Sequence, residues 1–193
     1  MPRARKLFPI YGSALANNML STIAREREVA RFVAAYVDQY DRRGILGGPA
    51  RERELAETIG REILLAMIVE VRDVLPIFFG KKLKSKLKGE ETEAIDVFSR
   101  ELLAALARAQ NWNADDRRQF RRDLSLYSDF SSRREIRLNS PKKAKLPEEE
   151  SPFIARVALL LDPSMLEQAR AATRKLLGGV GLLARKLLRR TLG

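Results

Sequence analysis

The chain has no cysteine and no histidine among its 193 residues. The first absence excludes disulfides, thiolate nucleophiles and every cysteine-ligated zinc or iron–sulfur centre. The second removes the commonest general base, the commonest transition-metal ligand and the side chain that titrates near neutrality. Neither a metal nor a cofactor is therefore expected, and the chain reads as a non-enzyme. Long apolar runs are missing too. The longest, Ile63 to Val69, stops at Glu70, far short of the roughly 18 residues needed to span a bilayer. A secretory leader is not expected, because Leu7 to Tyr11 is short and broken by Pro9. No acidic residue precedes Glu26, the one respect in which the N-terminus looks like an organelle transit segment. The expected location is the cytoplasm, with peripheral membrane association.

Strand patterns are nearly absent, Ile136-Arg137-Leu138 being too short to count. Helical patterning is abundant. Leu, Ile, Val and Phe together supply 55 residues, about 28% of the chain and well above the roughly 20% below which disorder is expected. Met19, Ile23, Ala30, Val33, Val37 and Tyr40 recur at helical spacing and define a first helix, ended by Gly44, Gly47, Gly48 and Pro49. Leu55, Ile59, Ile63, Met67, Val71 and Val74 define a second. Its middle is apolar on nearly all sides, which predicts a central helix touched by several neighbours. Pro76 is expected to kink or end it. Glu70 has no partner on its own helix face and calls for an arginine from another helix.

Ile95, Phe98, Leu102, Ala105 and Ala109 mark a third helix, closed by Trp112. Asn113 is a good N-cap for a fourth, with Asp115 and Asp116 in its first turn and Phe120, Leu124 and Tyr127 on its apolar face.

The expected fold is thus all-α: a helical bundle of about four helices over residues 13–130, preceded by a basic tail (1–12). A flexible polar linker (131–151) and a basic amphipathic C-terminal helical segment (152–193) follow it. In that last segment Leu166, Ala169, Thr173, Leu176, Val180, Leu183 and Leu187 form one seam, and Gly178, Gly179 and Gly181 are expected to interrupt it.

Charge is unevenly placed. Lys and Arg number 37 against 25 Asp and Glu, an excess that suggests an anionic partner. Nearly all of it sits in residues 81–89 and 152–193. The candidate anion- or lipid-binding residues are Lys81, Lys82, Lys84, Lys86, Lys88, Arg185, Lys186, Arg189 and Arg190. The candidate apolar anchor is Leu183, Leu187 and Leu188, because leucines beside cations on one helix suit an anionic bilayer surface.

Arg117, Arg118, Arg121 and Arg122 form a candidate nucleic-acid face on the fourth helix, diluted by Asp115, Asp116 and Asp123. Gly178-Gly179-Val180-Gly181 lacks the Gly-Lys-Ser/Thr end of a phosphate-binding loop. The acids at 90, 91, 93, 115 and 116 sit where helix dipoles favour them and show no cation-loop spacing.

The function these features favour is non-enzymatic: engagement of an anionic surface, above all a membrane face, through the Lys-rich loop and the basic C-terminal helix. A nucleic-acid-binding module is the first alternative. A protein–protein adaptor or homo-oligomer built on the terminal seam is the second; the anionic partner is thus expected to be a membrane surface, nucleic acid or an acidic protein.

Overall fold

The computed structural model describes residues 3–25, 35, 49–82, 91–138, 150–161 and 166–192. Among these there are six α-helices and no strand. They are α1 (Arg3–Arg25), α2 (Pro49–Lys82), α3 (Glu91–Ala109), α4 (Ala114–Leu138), α5 (Pro152–Leu161) and α6 (Leu166–Leu192). The all-α class is as the periodicity predicts; the count of about four helices is exceeded.

Helix α2 is the hub, packing against α3, α4, α5 and α6. Every side chain from Glu62 to Val69 is buried, which is what an apolar run on all faces requires. Met67, Ile68, Leu65 and Leu75 meet a continuous core that takes Phe98 from α3, Phe120 from α4 and Phe153 from α5. Pro76 does not end α2, which runs on to Lys82. The proline lies on the exposed side, where the Arg72 carbonyl that loses its donor can be hydrated.

The connection between α3 and α4 is set by local chemistry. Asn111 takes a left-handed φ of 53°, and the Trp112 and Asn111 amides donate back to the Ala107 and Arg108 carbonyls at 2.9 and 3.2 Å. This is the paired pattern of a Schellman C-cap. Asn113 Oδ1 then accepts from the Asp115 and Asp116 amides at 2.8 and 2.9 Å, and the Asp116 carboxylate accepts from the Asn113 amide at 3.0 Å. That reciprocal cap starts α4. Trp112 folds over Phe120 with ring centroids 4.4 Å apart.

Two stretches depart from the sequence reading. Helix α1 begins at Arg3, inside the stretch read as a basic tail, and it buries Phe8 and Gly12. Helix α4 continues to Leu138, into the stretch read as linker. Of the first-helix stripe, Met19 and Ile23 pack as expected; Ala30, Val33, Val37 and Tyr40 lie outside the described residues, as do 139–149 of the linker.

The most extensive helix pair is α1 with α3. Gly12 makes it possible, since a Cβ there would sit 2.7 Å from the Phe98 carbonyl oxygen and 3.0 Å from the Leu102 nitrogen. Ser13 Oγ, one residue on, donates to Glu101 at 2.9 Å, and Arg108 also donates to Glu101. The Arg108 hydrogen bond holds the Glu101 carboxyl below its ordinary range; burial opposes it, and the Ser13 hydrogen bond adds to the lowering.

A depressed carboxyl stabilises the fold above its unfolded pKa of about 4.3, and that contribution fades as pH falls through the folded value. Glu101→Gln is therefore expected to lower the denaturant midpoint at about pH 6, and to differ less from the unmodified chain near pH 3. Equal midpoints at both pH values would contradict this role for Glu101.

Candidate functional site

The C-terminal helix α6 has two sharply different sides. Ala169, Thr173, Val180, Ala184, Leu187 and Leu188 are buried, and Leu176, Leu177 and Leu183 pack against the same core. They meet α5, α2 and α1. The Thr173 hydroxyl donates to the Ala169 carbonyl at 2.7 Å, so the one buried polar group of this face is satisfied. This corrects the expected apolar anchor. Leu183, Leu187 and Leu188 belong to the protein's own core, Leu188 with no exposed surface, and are not available to a bilayer in this conformation.

The glycines do not interrupt α6, which is continuous from Leu166 to Leu192. Each interior glycine costs about 1 kcal/mol relative to alanine, and burial of the leucine face outweighs that cost. Gly178 and Gly179 face open space, whereas Gly181 lies against α2, where a Cβ would come 3.6 Å from Glu70 Oε2. Glu70 has the interhelical partner its position calls for: Arg185 Nε donates to it.

The outer side of α6 carries Arg174, Lys175, Arg185, Lys186, Arg189 and Arg190, all exposed. At 3.6 residues per turn they occupy an arc of about 160°, in two rows flanking a midline of Ala171, Gly178 and Leu182. Leu182 is 71% exposed. No acidic residue occurs from 168 to 193.

The two halves of this face differ. Arg170 pairs with Glu150 at 3.0 Å and with Glu167 at 2.7 Å, and Arg174 lies 3.9 Å from Glu150. In the C-terminal half Arg185 is held by Glu70, and among the described residues Lys186, Arg189 and Arg190 have no ion pair. Leu182, Arg185, Lys186, Arg189 and Arg190 line an open depression of about 360 Å³.

The other sequence candidates fare differently. Lys84, Lys86 and Lys88 lie outside the described residues; Lys81 and Lys82 close α2, and only their backbone is described. Arg117, Arg118, Arg121 and Arg122 are all exposed on α4. Arg118 is paired with Asp115, and Arg117 donates to the Trp112 carbonyl at 3.2 Å, so half of this face is already engaged by neighbouring groups of the chain. Asp123 does not dilute it, because Asp123 turns inward and is buried.

The inward turn of Asp123 reveals a polar cluster that the sequence reading missed. Arg156 of α5 reaches Asp123 Oδ1 at 2.7 Å and Glu62 Oε1 at 3.4 Å. Arg61 lies 3.3 Å from Asp123 Oδ2, and Gln119 donates to Asp123 at 3.2 Å. The Tyr127 hydroxyl donates to Glu62. Burial, with the adjacent Glu62 charge, pushes the Tyr127 phenol far above its ordinary range. Burial opposes the Arg156 charge, but Asp123 and Glu62 more than compensate, and its pKa lies above the usual arginine value.

Two carboxylates face two guanidiniums, so the cluster is neutral overall and fixes α5 to α2 and α4. The available signal was Arg156 itself, the only charge in the ten residues of α5; a charge in so apolar a helix needs a partner.

Among the described residues no group of three or more acidic side chains could hold a metal ion, and no helix is long and apolar enough to cross a membrane. No protein family, curated protein or solved structure matches the chain.

Proposed function

We propose that this is a non-enzymatic interaction protein that adsorbs to the anionic cytoplasmic face of a membrane through the outer side of α6. The observation that carries the reading is the two-rowed cationic face with Leu182 at its centre and no acid within it. An apolar side chain on the midline suits a lipid headgroup layer better than a phosphodiester backbone, which is why the membrane is placed before nucleic acid. The adaptor alternative loses its seam, whose residues are already used inside the chain.

Magnitudes decide the mode of binding. A basic residue near an anionic leaflet contributes about 1 kcal/mol, so Lys175, Lys186, Arg189 and Arg190 together give about 4 kcal/mol, a dissociation constant near 1 mM in accessible lipid. Leu182 adds at most about 2 kcal/mol. Charge dominates, and the adsorption is weak and reversible.

The test is co-sedimentation with phosphatidylcholine vesicles with and without phosphatidylserine. The triple variant Lys186→Gln, Arg189→Gln, Arg190→Gln is expected to lose about 100-fold in affinity. The pair Arg121→Gln, Arg122→Gln is expected to leave binding unchanged. Full binding by the triple variant would overturn the reading, and so would binding to duplex DNA with none to vesicles.

A further inference from the structure

The C-terminal half of the α6 face is more selective than a general cationic surface. Leu182, Arg185, Lys186, Arg189 and Arg190 line the open depression of about 360 Å³ on the outer face of α6. Their spacings of three and four residues place neighbouring side chains about 5–6 Å apart at Cβ. Leu182, largely exposed, is its apolar residue, and the four cations follow it along the helix.

The charge balance is specific. Among the described residues, four cations face a single carboxylate, Glu70, which Arg185 already holds. Three positive charges remain without an ion pair among the described residues. A phosphodiester headgroup brings one negative charge and satisfies one of them. A phosphate monoester carries about −1.5 to −2 near neutrality, so two such groups on one ring match the surplus. Three of the four cations are arginines, whose planar fork takes two phosphate oxygens at once. In the N-terminal half, Glu150 and Glu167 engage Arg170 and Glu150 also approaches Arg174, so no comparable surplus gathers there.

From this we infer that the Arg185–Arg190 cluster is a binding site for a multiply phosphorylated lipid headgroup, of the phosphorylated inositol lipid class. The inference rests on the membrane reading and narrows it to a ligand. Glu70 takes part as a brake, because it occupies Arg185 and places a negative charge beside the site.

The experiment compares phosphatidylcholine vesicles carrying either phosphatidylserine or a bisphosphorylated inositol lipid, matched for total surface charge, with inositol hexakisphosphate as soluble competitor. The full chain is expected to bind the inositol lipid about tenfold more tightly, and the competitor is expected to displace it. Glu70→Gln, with folding checked by thermal melting, is expected to tighten binding about fivefold; Arg189→Gln with Arg190→Gln is expected to erase the preference.

Equal binding to both vesicle types would overturn the headgroup site while leaving the membrane reading in place. No binding to either would overturn both. Binding of the soluble polyphosphate without binding of vesicles that carry the headgroup would overturn the lipid as its source. An unchanged affinity in a folded Glu70→Gln protein would overturn the brake; should that variant not fold, Arg185→Gln is expected to weaken inositol-lipid binding, and no loss there would overturn the site.

Discussion

Arg156→Ala is expected to lower the unfolding free energy by about 2–4 kcal/mol. Removing one partner of a buried ion pair costs about 3–5 kcal/mol, because the other charge stays behind without compensation. Here two carboxylates are left behind, Glu62 and Asp123, with side chains only 9% and 5% exposed. The Arg156 side chain is itself 35% exposed, so water replaces part of what it supplies, and the expectation is set below the full range. Arg61 remains beside Asp123, which leaves Glu62 the more exposed to the loss.

Arg156→Lys does not restore the loss, because an ammonium cannot bridge both carboxylates as the guanidinium does. Arg156→Met combined with Glu62→Gln and Asp123→Asn is expected to cost less than Arg156→Met alone, since the uncompensated charges are gone. Chemical denaturation of these variants measures the coupling. A loss below about 0.5 kcal/mol for Arg156→Ala would mean that the cluster contributes no more than a surface ion pair.

The second large effect separates two glycines by sign. Gly12→Ala is expected to destabilise by about 2 kcal/mol net, although alanine is the better helix former by about 1 kcal/mol. The new methyl would collide with backbone atoms of α3 at 2.7 and 3.0 Å, and backbone cannot swing aside as a side chain can. The helices must separate, with the cost of an overpacked core. Gly178→Ala is expected to stabilise by up to about 1 kcal/mol, because nothing lies within 4 Å of its added methyl and α6 is continuous there. Thermal melts of the two single variants make the comparison. A destabilised Gly178→Ala would contradict the continuous helix and restore the interruption that the glycine run suggests.

These cases show what periodicity can and cannot carry. The apolar stripe of α2 and the α3–α4 connection were legible because each is local: helical spacing names a face, and Asn113 followed by two aspartates names a cap. The fate of α6 was not local. Leu183, Leu187 and Leu188 beside Arg185, Arg189 and Arg190 spell the same amphipathic helix whether the leucines meet a bilayer or the protein's own core. Only the surfaces offered by α1, α2 and α5 separate the two.

The glycines were misleading for a related reason. Their cost is intrinsic to the helix, while the burial that outweighs it comes from tertiary neighbours. The start of α1 was hidden because Pro9 and the basic residues read as a tail, whereas Phe8 and Gly12 acquire their meaning only against α3. Of the candidate site, the cations of α6 could be read directly. The Glu70 contact could be expected but not assigned to Arg185.

The central claim is that α6 meets an anionic membrane with its charges while its leucines stay in the core. The most direct test is the affinity of the full chain for phosphatidylserine-containing vesicles as ionic strength rises from about 0.1 M to about 1 M, where the screening length falls from about 10 Å to about 3 Å. The result expected is complete loss of binding over that interval, with recovery on dilution. Binding that survives at about 1 M would contradict the claim, because only insertion of Leu183, Leu187 and Leu188, with α6 released from the bundle, would hold the protein there.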